Sequence, residues 1–142
     1  QPGVSDLRHI AHVLDVPVSS LFRQAAVPVH EQGHVVRSGA RRPIGSREEG
    51  LVEELLSPDL TDDFEMLHST FEPAAELAED NRRPTQEAGY VTSGRFDICI
   101  EGRWHTLGQG DSFRIRGERY RWRNPSKTQK AVVIWVIAPP VY

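Results

Sequence analysis

The sequence is poor in cysteine and methionine, with one of each in 142 residues, and it has no long hydrophobic run. A lone cysteine, Cys99, cannot close an internal disulfide, so a reducing cytoplasm is the expected setting. The longest apolar stretch, residues 131–138, is far too short for a helical membrane span, and no charged-then-apolar leader opens the chain. A strong excess of one charge is also missing: 20 acidic against 17 basic residues give a formal net charge of −3. That balance argues against this piece holding nucleic acid by itself, and any DNA footprint must lie elsewhere. Gln-Pro-Gly is no natural start, so the chain is expected to be a fragment whose native N-terminus lies upstream.

What is present divides into three parts. Residues 5–14 read as a helix: Ser5 is a good N-cap, and Leu7, Ile10, Ala11 and Leu14 form one apolar stripe. Pro17 disfavours helical geometry at the residue before it, and Ser19 can cap a shorter helix to about Gln24. Helices this short cannot bury their stripes on each other alone. Residues 25–34 hold Pro28 and Gly33, lack a sustained period, and read as a linker. From residue 35 onward the pattern is strand. Apolar or alternating runs at 35–36, 51–56, 64–71, 89–92, 95–100, 104–107, 112–116, 120–123 and 131–137 are divided by Gly, Pro, Asn and Asp clusters. A mostly polar stretch, 78–85, interrupts them. Many short strands with regular turns predict a sandwich or barrel.

The stretch from Glu87 to Pro140 resembles the cupin family of small β-barrels. Glu87 and Gly94 keep the spacing of the first cupin motif. Gly110-Asp111 and Asn124-Pro125 bracket the second, with Gly117 as its inner glycine. The resemblance implies an all-β fold, a double-stranded β-helix or jelly-roll barrel, spanning residues 35–142. Metal-bearing cupins hold a divalent ion with three histidines and the glutamate. Carried over position by position, the first-motif histidines fall on Asn81 and Arg83 and the second-motif histidine on Tyr120. A guanidinium cannot ligate a cation, and one carboxylate does not make a site, so no metal cofactor is expected. Residues 4–24 resemble the last two helices of the helix-turn-helix domain of repressors of the xenobiotic-response-element type. The carrying residues are Leu7 to Ala11 and Val16 to Phe22. The recognition helix of that domain precedes these two. Residues 1–24 are accordingly read as the end of a DNA-binding domain.

His30-Glu31-Gln32-Gly33-His34 matches the zinc-protease pattern, but Pro28 and Gly33 oppose the helix that chemistry needs, and the linker reading is preferred. His9 and His12 lie off the apolar stripe and read as solvent-facing. Arg114, Arg116, Arg119, Arg121 and Arg123 alternate with Phe113, Ile115, Tyr120 and Trp122, which predicts arginines outside and aromatics inside. Trp104, Trp122, Trp135, Phe113 and Phe96 are expected in the core and barrel lining. The expected ligand-binding set is Asn81, Arg83, Glu87, Tyr120, Trp122 and His68, His68 being a strand residue of ambiguous face. The plainer arrangement is a buried salt bridge with Tyr120 as filler, giving a closed barrel with no ligand.

The expected function is that of a non-enzymatic transcriptional regulator. Its barrel binds a small-molecule effector, it reaches DNA through an intact N-terminal domain, and it forms a homodimer because paired half-sites need two reading heads. The alternatives are a cupin enzyme of oxygenase or isomerase type and a barrel serving only to dimerise. The predicted lack of ligands has a direct check. Purified protein should carry well below one equivalent of iron, manganese or zinc by elemental analysis, and a full equivalent would bring the oxygenase forward.

Overall fold

The computed structural model describes residues 27–45 and 49–142. The helices expected at 5–14 and 19–24, and with them His9 and His12, lie outside the described residues. The chain divides into two compact units, residues 1–41 and 42–142. In the first, Val29–Glu31 form a single 3-10 turn. Glu31 is buried there and accepts hydrogen bonds from Nε of Arg37 at 3.1 Å and from Nη2 at 2.7 Å. The glutamate of the protease-like pattern is thus committed to an arginine, and no helix sets His30 and His34 on one face. The strand expected at residues 35–36 is absent; a second 3-10 turn follows at Ser38–Ala40. Two valines are too few to hold extended pairing without a partner edge.

The second unit contains nine strands: β1 (Arg42–Ile44), β2 (Leu51–Leu55), β3 (Glu65–Phe71), β4 (Gln86–Ser93), β5 (Phe96–Ile100), β6 (Arg103–Leu107), β7 (Ser112–Arg116), β8 (Tyr120–Arg123) and β9 (Ala131–Ala138). Antiparallel pairing builds a six-stranded sheet in the order β1-β2-β3-β9-β4-β7 and a three-stranded sheet in the order β6-β5-β8. Side chains alternate between faces along a strand, so one face of each sheet is apolar. In β9, Ala131, Val133, Trp135 and Ile137 are buried; in β3, Glu65, Leu67, Ser69 and Phe71 are. The register sets Leu67 opposite Trp135 and Ser69 opposite Val133. The sheets meet through aromatics: the Phe71 ring lies 4.7 Å from both Phe96 and Trp122. Each such contact adds about 0.5–1.5 kcal/mol beyond the area it buries.

Trp104 departs from expectation. It is half-buried on the outer face of β6, opposite Cys99, with the Arg123 guanidinium 4.0 Å from its ring. Phe96, Ile98 and Ile100 take the inward positions of β5, which leaves Cys99 and its cross-strand partner pointing out. The arginines of β7 and β8 are on the outside, as the alternation predicted.

One edge of β8 would leave its backbone groups unpaired, which a buried edge does not tolerate. The polar stretch after β3 covers it. Leu77 N donates to Trp122 O at 2.9 Å, Asn81 N to Tyr120 O at 2.7 Å, and Tyr120 N to Asn81 O at 2.8 Å. This strap fixes where the side chains of residues 81–85 begin. Asn124, buried beyond the end of β8, anchors the strap's start: its Nδ2 donates to the carbonyls of Phe71, Glu72 and Gln129 at 3.1, 3.1 and 2.8 Å.

Two glycines are required sterically. Gly94 turns β4 into β5 at φ +78°, and a Cβ there would lie 2.4 Å from the carbonyl oxygen of Lys130. Gly89 is the slot for the Phe113 ring opposite it, where a Cβ would fall 2.2 Å from Cζ. Replacing Gly89 by alanine should therefore cost about 1–3 kcal/mol through overpacking. Denaturant unfolding of Gly89→Ala with an unchanged midpoint would show that the ring shifts freely.

Candidate functional site

Glu87 is the inward residue of β4 between Ile115 on β7 and Ile137 on β9, and its side chain has no solvent exposure. A carboxylate in such a place is tolerated only if its oxygens are bonded and its charge is met. Both conditions hold. Oε1 accepts from Nη2 of Arg83 at 3.0 Å and from Nε1 of Trp135 at 2.7 Å. Oε2 accepts from Nε of Arg83 at 3.2 Å and from Oγ1 of Thr85 at 2.6 Å. The strap delivers Arg83 and Thr85, and β9 delivers Trp135.

The cluster extends beyond the ion pair. Nη2 of Arg83 also donates to the Tyr120 hydroxyl at 2.8 Å, and Nδ2 of Asn81 donates to the same oxygen at 3.1 Å. Burial above all, and then the Glu87 carboxylate, push the Tyr120 phenol up to about 12, while Arg83 and the Asn81 hydrogen bond act the other way. Arg83 is held above its ordinary value: burial opposes its charge, but Tyr120 and Glu87 outweigh burial.

Next to this cluster is a cavity of about 140 Å³. Asn81, Arg83, Tyr120 and Glu53 form its polar edge, and Phe71, Leu77, Trp122, Trp135 and Ile137 its apolar walls. Four of the expected residues, Asn81, Arg83, Tyr120 and Trp122, thus border one space. Glu87 stands behind Arg83 and does not line it. His68 lies apart. Leu67 and Ser69 take the inward positions of β3, so His68 is on the opposite face, where Nδ1 is 3.9 Å from Oε1 of Glu54.

Sequence reasoning missed a second polar group on this cavity. Glu53 is buried on β2 and accepts from Oγ of Ser69 at 3.2 Å and from the Tyr142 hydroxyl. Burial raises the pKa of its carboxyl, against the lowering effect of those two hydrogen bonds. Glu65, fully buried, accepts from the backbone N–H of Val141 at 2.6 Å. The signal was present. Leu51-Glu53-Leu55 and Glu65-Leu67-Ser69-Phe71 each put a carboxylate in the apolar phase of a strand, where a solvated residue does not belong.

A sequence profile of the cupin domain matches residues 67–137, half of the chain. The chain belongs to the cupin family. No curated protein matches it. Among solved structures, the chain is similar to an RmlC-like cupin from Shewanella frigidimarina, with 18% identity, a TM-score of 0.65, and 76% of this chain and 92% of that one covered. KdgF from Halomonas sp. gives 19% identity, a TM-score of 0.64, and 76% and 94% coverage. A cupin domain of an XRE-family transcriptional regulator from Enterobacter cloacae gives 26% identity and a TM-score of 0.55, over 64% of this chain and 98% of that one. The family's metal does not fit this cupin. The positions that would supply ligands carry Asn81, Arg83, Glu87 and Tyr120, and a guanidinium sits 3.0 Å from the one carboxylate. Among the described residues no three His, Cys, Asp or Glu side chains converge.

The raised phenol has a measurable consequence. The folded state holds the Tyr120 proton to about pH 12, whereas the unfolded chain releases it near 10. Stability is therefore intact below about pH 10 and falls as pH rises towards 12, by roughly 3 kcal/mol for this group. Denaturant titrations at pH 9 and pH 11.5 should show that loss in the native sequence and a smaller one in Tyr120→Phe. Equal losses would assign the effect elsewhere.

Proposed function

We propose that this cupin is the effector-binding part of a transcriptional regulator. Its barrel takes up a small organic molecule without a metal ion and alters how a helix-turn-helix domain engages DNA. The observation that carries the reading is the replacement of a ligand set by a closed Arg83–Glu87–Tyr120 network beside a cavity of about 140 Å³. Two further lines support it. Residues 4–24 resemble the end of a helix-turn-helix domain, and the Enterobacter cloacae neighbour at 26% identity is a cupin domain of an XRE-family regulator. Residues 1–24, 25–34 and 35–142 are on this reading, in order, the end of a helix-turn-helix domain, a linker and the barrel. On this reading the protein works in the cytoplasm as a homodimer, two reading heads serving two half-sites.

A catalytic role for the same residues finds less support. Glu87 has both oxygens occupied and does not border the cavity, and Tyr120, titrating near 12, is a poor proton acceptor at neutral pH. A barrel used only for dimerisation predicts an interior filled by Trp122 and its neighbours, whereas space is left among them.

An effector regulates only by binding two states unequally, so binding and DNA affinity should change together. Native mass spectrometry of the full-length protein should show a metal-free dimer with a co-purified organic molecule. Arg83→Ala combined with Glu87→Gln, which leaves no buried charge unpaired, should weaken that molecule's binding about tenfold or more. Unchanged affinity in the double variant would remove this network from the site.

A further inference from the structure

We propose that the cavity takes a compact, uncharged molecule joining a flat apolar body to one carbonyl- or amide-type acceptor, in preference to an acid or an amine. The inference rests on the effector-binding reading above and narrows its ligand class. The volume of about 140 Å³ resembles that of an apolar cavity of ~150 Å³ that admits benzene, and falls well below the several hundred Å³ of sites for larger ligands. Phe71, Trp122 and Trp135 supply aromatic walls, and the Phe71 and Trp122 rings meet edge to face at 4.7 Å.

The polar edge selects the head group. A phenolic oxygen has room for two incoming hydrogen bonds and one proton to give. Arg83 Nη2 and Asn81 Nδ2 fill both acceptor places on Tyr120, so what the hydroxyl has left is its donor. At neutral pH that proton is in place, since the phenol titrates near 12. Arg83 bonds Glu87 and Tyr120 through Nε and Nη2, and Nη1 takes part in none of these bonds. At Asn81, Arg83 and Tyr120 the edge therefore presents N–H and O–H groups, and that stretch of it calls for an acceptor.

Charge excludes the obvious anions. The Arg83 cation is already met by Glu87 at 3.0 Å, while Glu49 and Glu53 also border the cavity. Burial already disfavours ionisation of Glu53. A carboxylate ligand would add negative charge beside these groups with no uncommitted cation among the described lining residues to meet it. An ammonium at the Arg83–Tyr120 end would set its hydrogens against theirs and lie beside the Arg83 cation, while burial disfavours the ionised form of Glu53 that could pair with it.

A one-ring series tests this with the aromatic body held constant: benzamide, benzoate, benzylamine and toluene, titrated against the full chain at pH 7.5 by ligand-observed NMR. Benzamide should bind about tenfold more tightly than either ionic probe and more tightly than toluene. In Tyr120→Phe the advantage of benzamide over toluene should largely vanish. The ranking on the native sequence decides the matter even where that variant folds poorly. Benzoate or benzylamine equalling benzamide would overturn the charge argument, and toluene equalling it would overturn the donor argument. Either result leaves effector binding standing. Binding of none of the four, in protein that also carries no co-purified molecule, would overturn effector binding itself.

Discussion

The side chain of Glu87 is shut away from water between Ile115 and Ile137, and that burial dictates the identity of its neighbours. A carboxylate there costs several kcal/mol unless it is neutralised and its lone pairs are filled. Arg83 supplies the charge, and Trp135 and Thr85 supply the remaining donors. Because Arg83 must reach inward, the strap that carries it must lie against β8, and Tyr120 must accept its third bond. Removing any one partner would strand another. The site is a closed circuit of donors and acceptors, from which the Tyr120 hydroxyl hydrogen and Arg83 Nη1 are left over.

The fold was legible where alternation is strict. Phe113 and Ile115 in β7, and Tyr120 and Trp122 in β8, gave both the strand bounds and the inward face. β4 begins at Gln86, three residues before the expected Gly89, because Gln86-Glu87-Ala88 reads as polar surface although its middle residue is buried. β1 was not legible: Arg42-Pro43-Ile44 is short, and proline is admitted only because the strand is at an edge. Trp104 misled because hydrophobicity does not tell which face an edge strand presents.

The site was legible in the same uneven way. Asn81, Arg83, Glu87 and Tyr120 were paired through family spacing, and hydrogen bonds join them. No local pattern could have joined Tyr120 to Asn81 and Arg83, 39 and 37 positions away. Glu53, Ser69 and Tyr142 escaped notice, since their contact depends on β2 pairing with β3 and on where the last residues fold back. The motif residues that remain have architectural work. Asn124 ties three carbonyls together, Gly94 makes a turn that a methyl group would obstruct, and Asp111 accepts from the backbone N–H of Gly108 at 2.9 Å.

The strap along β8 is sewn down by main-chain atoms, which every residue type except proline possesses. Its attachment at residue 81 is consequently indifferent to the side chain borne there. Substitution at residue 81 can rewrite the chemistry of the cavity edge while the seam beneath it stays closed. Such separability lets a lineage exchange one set of polar groups for another, or move from one guest to the next, without passing through an unfolded ancestor.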